Sequence, residues 1–201
     1  MMAYIFKITI KGSSNPPIWR KIKVDENTSF EHFHYIIQAA FGWDNSHPFV
    51  FSPKGYGSYP KINSDYYGGF LPDGVEISDA ETFPQGEIYD AGEIKLKDYF
   101  KKLKQKIVYI YDFGDDWTHI IELVKITDEK LEHPVCVSGK GSNLMDDSGG
   151  IWGFYNMVEA VNDPKHPDHE DFIEWFGMEE GEKWDLNEFS IEDLNEVFKK
   201  L

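Results

Sequence analysis

Cysteine is nearly absent: Cys136 is the one thiol in 201 residues. No intramolecular disulfide can form, so stability must come from packing, and a reducing cytoplasmic setting is expected. A lone cysteine of this kind reads as a packing residue rather than a nucleophile. Arginine is as scarce. Of 20 Lys and Arg residues only Arg20 is arginine, and the formal net charge is −16. Base reading and bidentate phosphate clamping lean on arginine, and nucleic-acid affinity comes largely from neutralised phosphates. Direct nucleic-acid binding is therefore not expected. Lys95, Lys97, Lys101, Lys102, Lys104 and Lys106 read as a solvated face. No apolar run approaches the roughly 20 residues of a membrane-spanning helix, and residues 1–7 lack a charged leader, so neither membrane association nor secretion is expected. The P-loop, G-x-G-x-x-G, H-E-x-x-H, paired C-x-x-C and G-x-S-x-G patterns are also missing, which removes several common enzyme classes.

What is present is periodicity. Residues 3–11 alternate Tyr4, Phe6, Ile8 and Ile10 against polar neighbours. Residues 18–24 alternate Ile18, Arg20, Ile22 and Val24 in the same way, and the Ser13–Pro17 turn between the runs predicts a hairpin. A helix follows, with a capping box at Thr28 and Glu31, a buried face of Phe30, Phe33, His34, Ile37 and Phe41, and a terminal cap at Gly42. His34 on that face reads as a core histidine. Residues 47–52 predict a short strand. Residues 53–92 are rich in Gly, Pro, Tyr, Asp and Ser and read as a loop-rich insertion carrying Tyr56, Tyr59, Tyr66 and Tyr67. A short helix is expected over 95–103. A second hairpin is expected from strands 106–112 and 117–127, joined by Phe113-Gly114-Asp115-Asp116 with Gly114 supplying the positive φ. On its second strand Trp117, His119, Ile121 and Leu123 share a face. Residues 137–150 read as a polar loop. Three helices complete the chain: 151–162, entered through Asp147 or Ser148; 167–176, with Pro167 near its start; and 191–201, capped by Ser190. The expected fold is α+β: a single domain over 1–201 with a largely antiparallel sheet from two hairpins, one inserted helix and a C-terminal group of three helices.

Chemistry concentrates in residues 109–122, Y-I-Y-D-F-G-D-D-W-T-H-I-I-E. Asp112, Asp115, Asp116, His119 and Glu122 cluster on one hairpin. Carboxylates with an imidazole suit a divalent metal. Asp in a turn also accepts backbone N–H bonds, which is a purely structural role. His166 and His169, three residues apart, form a second candidate metal pair, set against an ordinary charged helix start. Asp146-Asp147 before Gly149-Gly150 is a third candidate, again matched by ordinary helix capping.

With these residues assembled, the chain resembles the plasmid pRiA4b ORF-3-like family, whose members are often described as TnpR-like passenger proteins of insertion elements. The resemblance rests on Ile18-Trp19-Arg20, on Phe33-His34-Tyr35-Ile36-Ile37-Gln38 running into Gly42-Trp43 and His47, and on the Tyr109–His119 block. It continues with Cys136 and Gly139, Asp147 before Gly149-Gly150, Gly153-Phe154, Asp163-Pro164 with His166-Pro167 and His169, and Trp184–Phe189. The family usually places Pro-Pro-Glu-Asp before the Gly-Gly, where this chain has Leu144-Met145-Asp146-Asp147, so only Asp147 carries over. The resemblance implies an α+β domain and a mobile-element or plasmid setting, and no settled activity. Recombination itself is excluded by the residues: serine recombinases need several arginines, and tyrosine recombinases need Arg and His around the scissile phosphate.

Two functional readings follow. The first is a non-catalytic cytoplasmic binding module, with a protein as partner, whose polar-aromatic centre gathers Trp19, Arg20, His34, Trp43, His47, Tyr111, Asp112, Asp115, Asp116, Trp117, His119 and Asp147. Arg20 is expected to ion-pair with Asp112, Asp115 or Asp116 there. The second is a divalent-metal-dependent enzyme of hydrolase type using Asp112, Asp115, His119, His47 and Asp147. An acidic surface that binds basic proteins or mimics nucleic acid is a third.

Overall fold

Alternating apolar side chains build the centre of the sheet. In the computed structural model, which describes residues 2–64, 86–179 and 181–201, β1 (Met2–Ile10) pairs antiparallel with β2 (Trp19–Asp25), Ala3 opposite Asp25 through Thr9 opposite Trp19. Phe6, Ile8, Ile10, Arg20, Ile22 and Val24 are buried. The second hairpin, β6 (Lys106–Tyr111) and β7 (Trp117–Asp128), joins the first through antiparallel β1–β7 pairing. Both hairpins thus merge into one sheet and share one core.

That sheet is wider than two hairpins. β3 (Phe49–Ser52) pairs with β6, then β4 (Lys61–Asn63) and β5 (Ile88–Asp90) extend that edge, the β4–β5 pair being parallel. On the other edge β8 (Val135–Lys140) pairs with β2. The order is β5-β4-β3-β6-β7-β1-β2-β8, and the fold is α+β. The stretch 53–92, expected to be loop-rich, supplies β4 and β5; Tyr66 and Tyr67 lie outside the described residues. The start of the expected loop at 137–150 belongs instead to β8, whose Val-Cys-Val-Ser-Gly-Lys run hides its alternation behind a register shift opposite Lys21 and Ile22.

α1 (Phe30–Phe41) lies on the core, with Phe30, Phe33, Ile36, Ile37 and Phe41 buried. Its cap is Ser29, one residue past the expected Thr28: the Ser29 hydroxyl accepts from His32 N–H at 3.1 Å, and Gly42 closes the helix at φ 87°. α2 (Leu96–Tyr99) is a single turn. α3 (Gly150–Asn162) starts from Gly149 rather than Asp147 or Ser148, and α4 (His169–Phe176) starts two residues after Pro167. α5 (Ile191–Phe198) is capped by the Ser190 hydroxyl as expected and buries Leu194 and Phe198. Among the described residues no helix is long and apolar enough to cross a membrane.

Candidate functional site

One end of the sheet gathers three connections: the β6–β7 turn, the α1–β3 loop and the loop before α3. The β6–β7 turn is built by aspartates in left-handed backbone. Asp112 and Asp116 have φ 54° and 55°, whereas Gly114, expected to hold that position, does not. Asp tolerates this region because its short carboxylate hydrogen-bonds locally. Asp112 Oδ1 accepts from Gly114 N–H at 2.9 Å, and Asp116 N–H donates to the Asp112 carbonyl at 2.8 Å. Asp112 N–H donates to the Pro48 carbonyl at 2.9 Å, which ties the turn to the α1–β3 loop.

The third connection docks on the same turn. Gly149 N–H donates to Asp115 Oδ2 at 2.9 Å. A Cβ at Gly150 would sit 2.3 Å from the Asp115 carbonyl oxygen, so only glycine lets this loop close. Closure brings Asp147, itself at φ 54°, beside His47. His47 Nε2 lies 3.2 Å from Asp147 Oδ1 and 3.8 Å from Asp112 Oδ2. The three donor atoms all lie within 4.8 Å of one another. Ligands about 2.1 Å from one cation at about 90–110° stand about 3.0–3.4 Å apart, so this spacing needs little contraction to hold one. The Nε2 atom is buried and makes no hydrogen bond, despite its closeness to both carboxylates. Side-chain exposure rises from 10% at Asp112 through 25% at His47 to 64% at Asp147, so the cluster opens to solvent on the Asp147 side.

Two further carboxylates lie on the same loops, Asp44 before His47 and Asp146 before Asp147. Asp44 N–H donates to Asp146 Oδ2 at 3.4 Å, and the Ser46 hydroxyl donates to the Asp44 carboxylate. Burial, reinforced by Asp44, pushes the Asp146 carboxyl up to about 6, while the Ser46 hydroxyl holds Asp44 below the usual range. Among the described residues no Lys or Arg forms an ion pair with Asp44, Asp112, Asp146 or Asp147. Asp44 was not among the residues singled out from sequence. Its signal was the Gly42-Trp43-Asp44-Asn45-Ser46-His47 run, polar immediately after a helix cap.

The other expected site residues serve the fold. His119 is fully buried, ringed by Phe41, Trp43 and Tyr109 at centroid distances of 4.9–5.2 Å. Its Nδ1–H donates to the Trp117 carbonyl at 2.8 Å, and burial pushes its pKa down to about 3. It does not join the His47 cluster. His34 is the core histidine it was read as: Nε2–H donates to Asn45 Oδ1 at 2.5 Å and Nδ1 accepts from the Tyr109 hydroxyl at 2.7 Å. The Tyr109 oxygen in turn accepts from Gln38 Nε2 at 2.9 Å. Burial holds His34 down to about 4. Tyr111 packs edge-on against His47, Trp43 packs on Tyr111 at a tilt of 38°, and Trp117 packs on Trp43. Asp115 clasps Gly149, and Asp116 accepts from the Thr118 hydroxyl at 3.1 Å. Neither completes a metal set.

Arg20 makes no ion pair with Asp112, Asp115 or Asp116. It is fully buried; Nε donates to the Ala40 carbonyl, Nη1 to those of Trp19 and Lys140, and Nη2 to the Ser142 carbonyl and Asn143 Oδ1. Phe189 covers it at 3.8 Å and Phe41 at 5.1 Å. Its charge is spent stitching β2, α1 and β8 together, and burial lowers its pKa to about 10. Trp19 lies away from the cluster, under Lys7 and Lys21. His169 Nδ1–H donates to the Ala160 carbonyl and His166 Nδ1 accepts from Asp168 N–H, so that pair closes a helix start. Cys136 is buried and its thiol is pushed up to about 11 by burial, the reverse of an activated nucleophile.

Fold and site together define a single-sheet α+β protein with an imidazole–carboxylate cluster at one end of its sheet. The family model of the plasmid pRiA4b ORF-3-like proteins matches residues 2–193, and the chain belongs to that family. It is 31% identical over 164 residues to the uncharacterized protein y4hQ of Sinorhizobium fredii, an alignment covering 81% of this chain and 75% of the relative. It is also similar to a crystal structure of a protein of unknown function, MM3350, from Methanosarcina mazei Go1. The TM-score is 0.71 at 32% identity, over 96% of each chain.

Proposed function

We propose that the protein is a cytoplasmic binding module organised around one divalent cation held by His47, Asp112 and Asp147. The observation that carries this reading is His47 Nε2: a buried nitrogen facing two carboxylate oxygens and hydrogen-bonded to neither. One imidazole with two carboxylates suits Mn²⁺ or Zn²⁺ better than the all-oxygen shells preferred by Ca²⁺ and Mg²⁺. Metal-assisted hydrolysis is the second reading. It is favoured by the exposure of Asp147, since three protein donors on an open face leave coordination positions for water. Association with mobile elements, and a protein as partner of the module, extend the proposal.

The test is elemental mass spectrometry of untagged protein followed by calorimetric titration with Mn²⁺, Zn²⁺, Mg²⁺ and Ca²⁺. One equivalent per chain is expected, weakened in His47→Ala and Asp112→Asn by at least the roughly 10–100-fold that loss of a group orienting a ligand already costs. The His166→Ala/His169→Ala variant should bind as the parent does. Absence of stoichiometric binding by the parent protein rules the reading out.

A further inference from the structure

We infer that the groove between α1 and α5 binds a small organic cation, a protonated amine carried on an apolar or aromatic body. The groove is separate from the His47 cluster and encloses about 330 Å³. That is the low end of the range, about 300–1,000 Å³, in which small-molecule sites fall. Ala39, Phe189, Leu194 and Val197 supply apolar wall, and Val197 is 44% exposed although it sits on a helix whose neighbours Leu194 and Phe198 are buried. Such a wall takes the hydrophobic part of a ligand.

The charge of the groove is one-sided. Its titratable lining is Glu188 and Asp193, both exposed, and no Lys or Arg lines it. Among the described residues neither carboxylate forms an ion pair. Arg20 offsets them only in part, one positive charge behind two carboxylates, and offers a ligand no direct contact. It lies sealed behind Phe189, with its N–H groups already given to oxygen acceptors. Polar depth comes from Ser142 and Trp184, whose Nε1–H donates to the Ser142 hydroxyl at 3.1 Å. An ammonium group on the acidic rim with its body against the apolar wall satisfies both halves of the lining; a carboxylate ligand would meet like charge.

The indole N–H of Trp184 reports on this site by NMR, assigned through its loss in Trp184→Phe. Phenethylamine and tyramine are titrated with a chelator present, which removes any contribution from the His47 cluster, and 3-phenylpropionate serves as the anionic counterpart. Saturable movement of the Trp184 signal with the amines and none with phenylpropionate is expected. Glu188→Gln/Asp193→Asn should weaken amine binding at least about tenfold without moving the unfolding midpoint, and Glu188→Gln alone serves if the double variant is destabilised. Three results overturn the proposal: no saturable movement with either amine up to about 10 mM, binding of phenylpropionate as tight as the amines, or amine binding undiminished in the charge variants.

Discussion

Two histidines pack against Tyr111, His34 with ring centroids 6.3 Å away and His47 at 5.8 Å, and they live under different rules. His34 has both ring nitrogens met by neutral partners, Asn45 and Tyr109, and Phe49 stacks on its face at 3.8 Å. His47 stands at the rim, facing ionisable oxygens with which it makes no hydrogen bond. The interior spends its polar groups on holding geometry, as Arg20 also does. The interior also leaves Trp43 Nε1, Trp117 Nε1 and His119 Nε2 unpaired, but at the rim the unpaired His47 Nε2 stands 3.2 and 3.8 Å from two carboxylate oxygens, a donor set that a cation can use.

The comparison is broken most forcefully at Arg20. Arg20→Ala should cost about 4 kcal/mol in urea unfolding, because it removes a buried side chain and strands several carbonyls together. A loss under about 1 kcal/mol would mean that the stitching of β2, α1 and β8 is dispensable. Acidification tests the interior next. The folded values of His34 and His119, about 4 and about 3, lie below the ordinary 6.5. Below about pH 6.5 the unfolded chain takes up protons that the folded chain refuses, so stability falls as pH falls. Asp146 acts oppositely: its folded carboxyl, near 6, binds a proton that the unfolded one, near 3.8, does not. The two histidines outweigh it, and unfolding free energy should drop by about 3 kcal/mol between about pH 7 and about pH 4.5, more steeply in Asp146→Asn. A flat profile would contradict the burial of both rings. The smallest effect belongs to the rim. Asp147→Asn, which keeps a residue at ease in left-handed backbone, should leave stability within about 0.5 kcal/mol, measured by urea unfolding with a chelator present, since the exposed carboxylate holds no fold contact beyond His47.

Much of the fold was legible because its core strands alternate cleanly. Both hairpins, the buried face of α1, the Ser190 cap and the α+β class follow from period and capping chemistry alone. β8 was not legible, for a physical reason: Gly139 faces Arg20 across the pair, where a Cβ would meet Phe189 at 2.3 Å, so the strand gives up a side chain just where alternation would have shown it. Of the three residues that meet in the candidate cluster, Asp112 and Asp147 were named from residue type, and His47 with them. His119 was overvalued even though its own strand gave warning. It alternates in phase with Trp117, Ile121 and Leu123, the pattern of a residue facing the core. Arg20 was misassigned because charge suggested a carboxylate partner, whereas carbonyl oxygens satisfied it. The meeting of three loops at one sheet end depends on tertiary contacts such as Gly149 to Asp115, which no local pattern encodes.

Asp112, Asp116 and Asp147 all hold left-handed backbone, where glycine would be at ease and an L-residue carries a cost of about 1 kcal/mol. Laboratory evolution can read that debt directly. A library selected only for heat tolerance would drift toward glycine at 147, while Asp112 and Asp116, whose carboxylates accept from Gly114 N–H and the Thr118 hydroxyl, would resist it. Selected for cation retention, the same library would keep aspartate at 147 as well, and that one position would separate the two pressures.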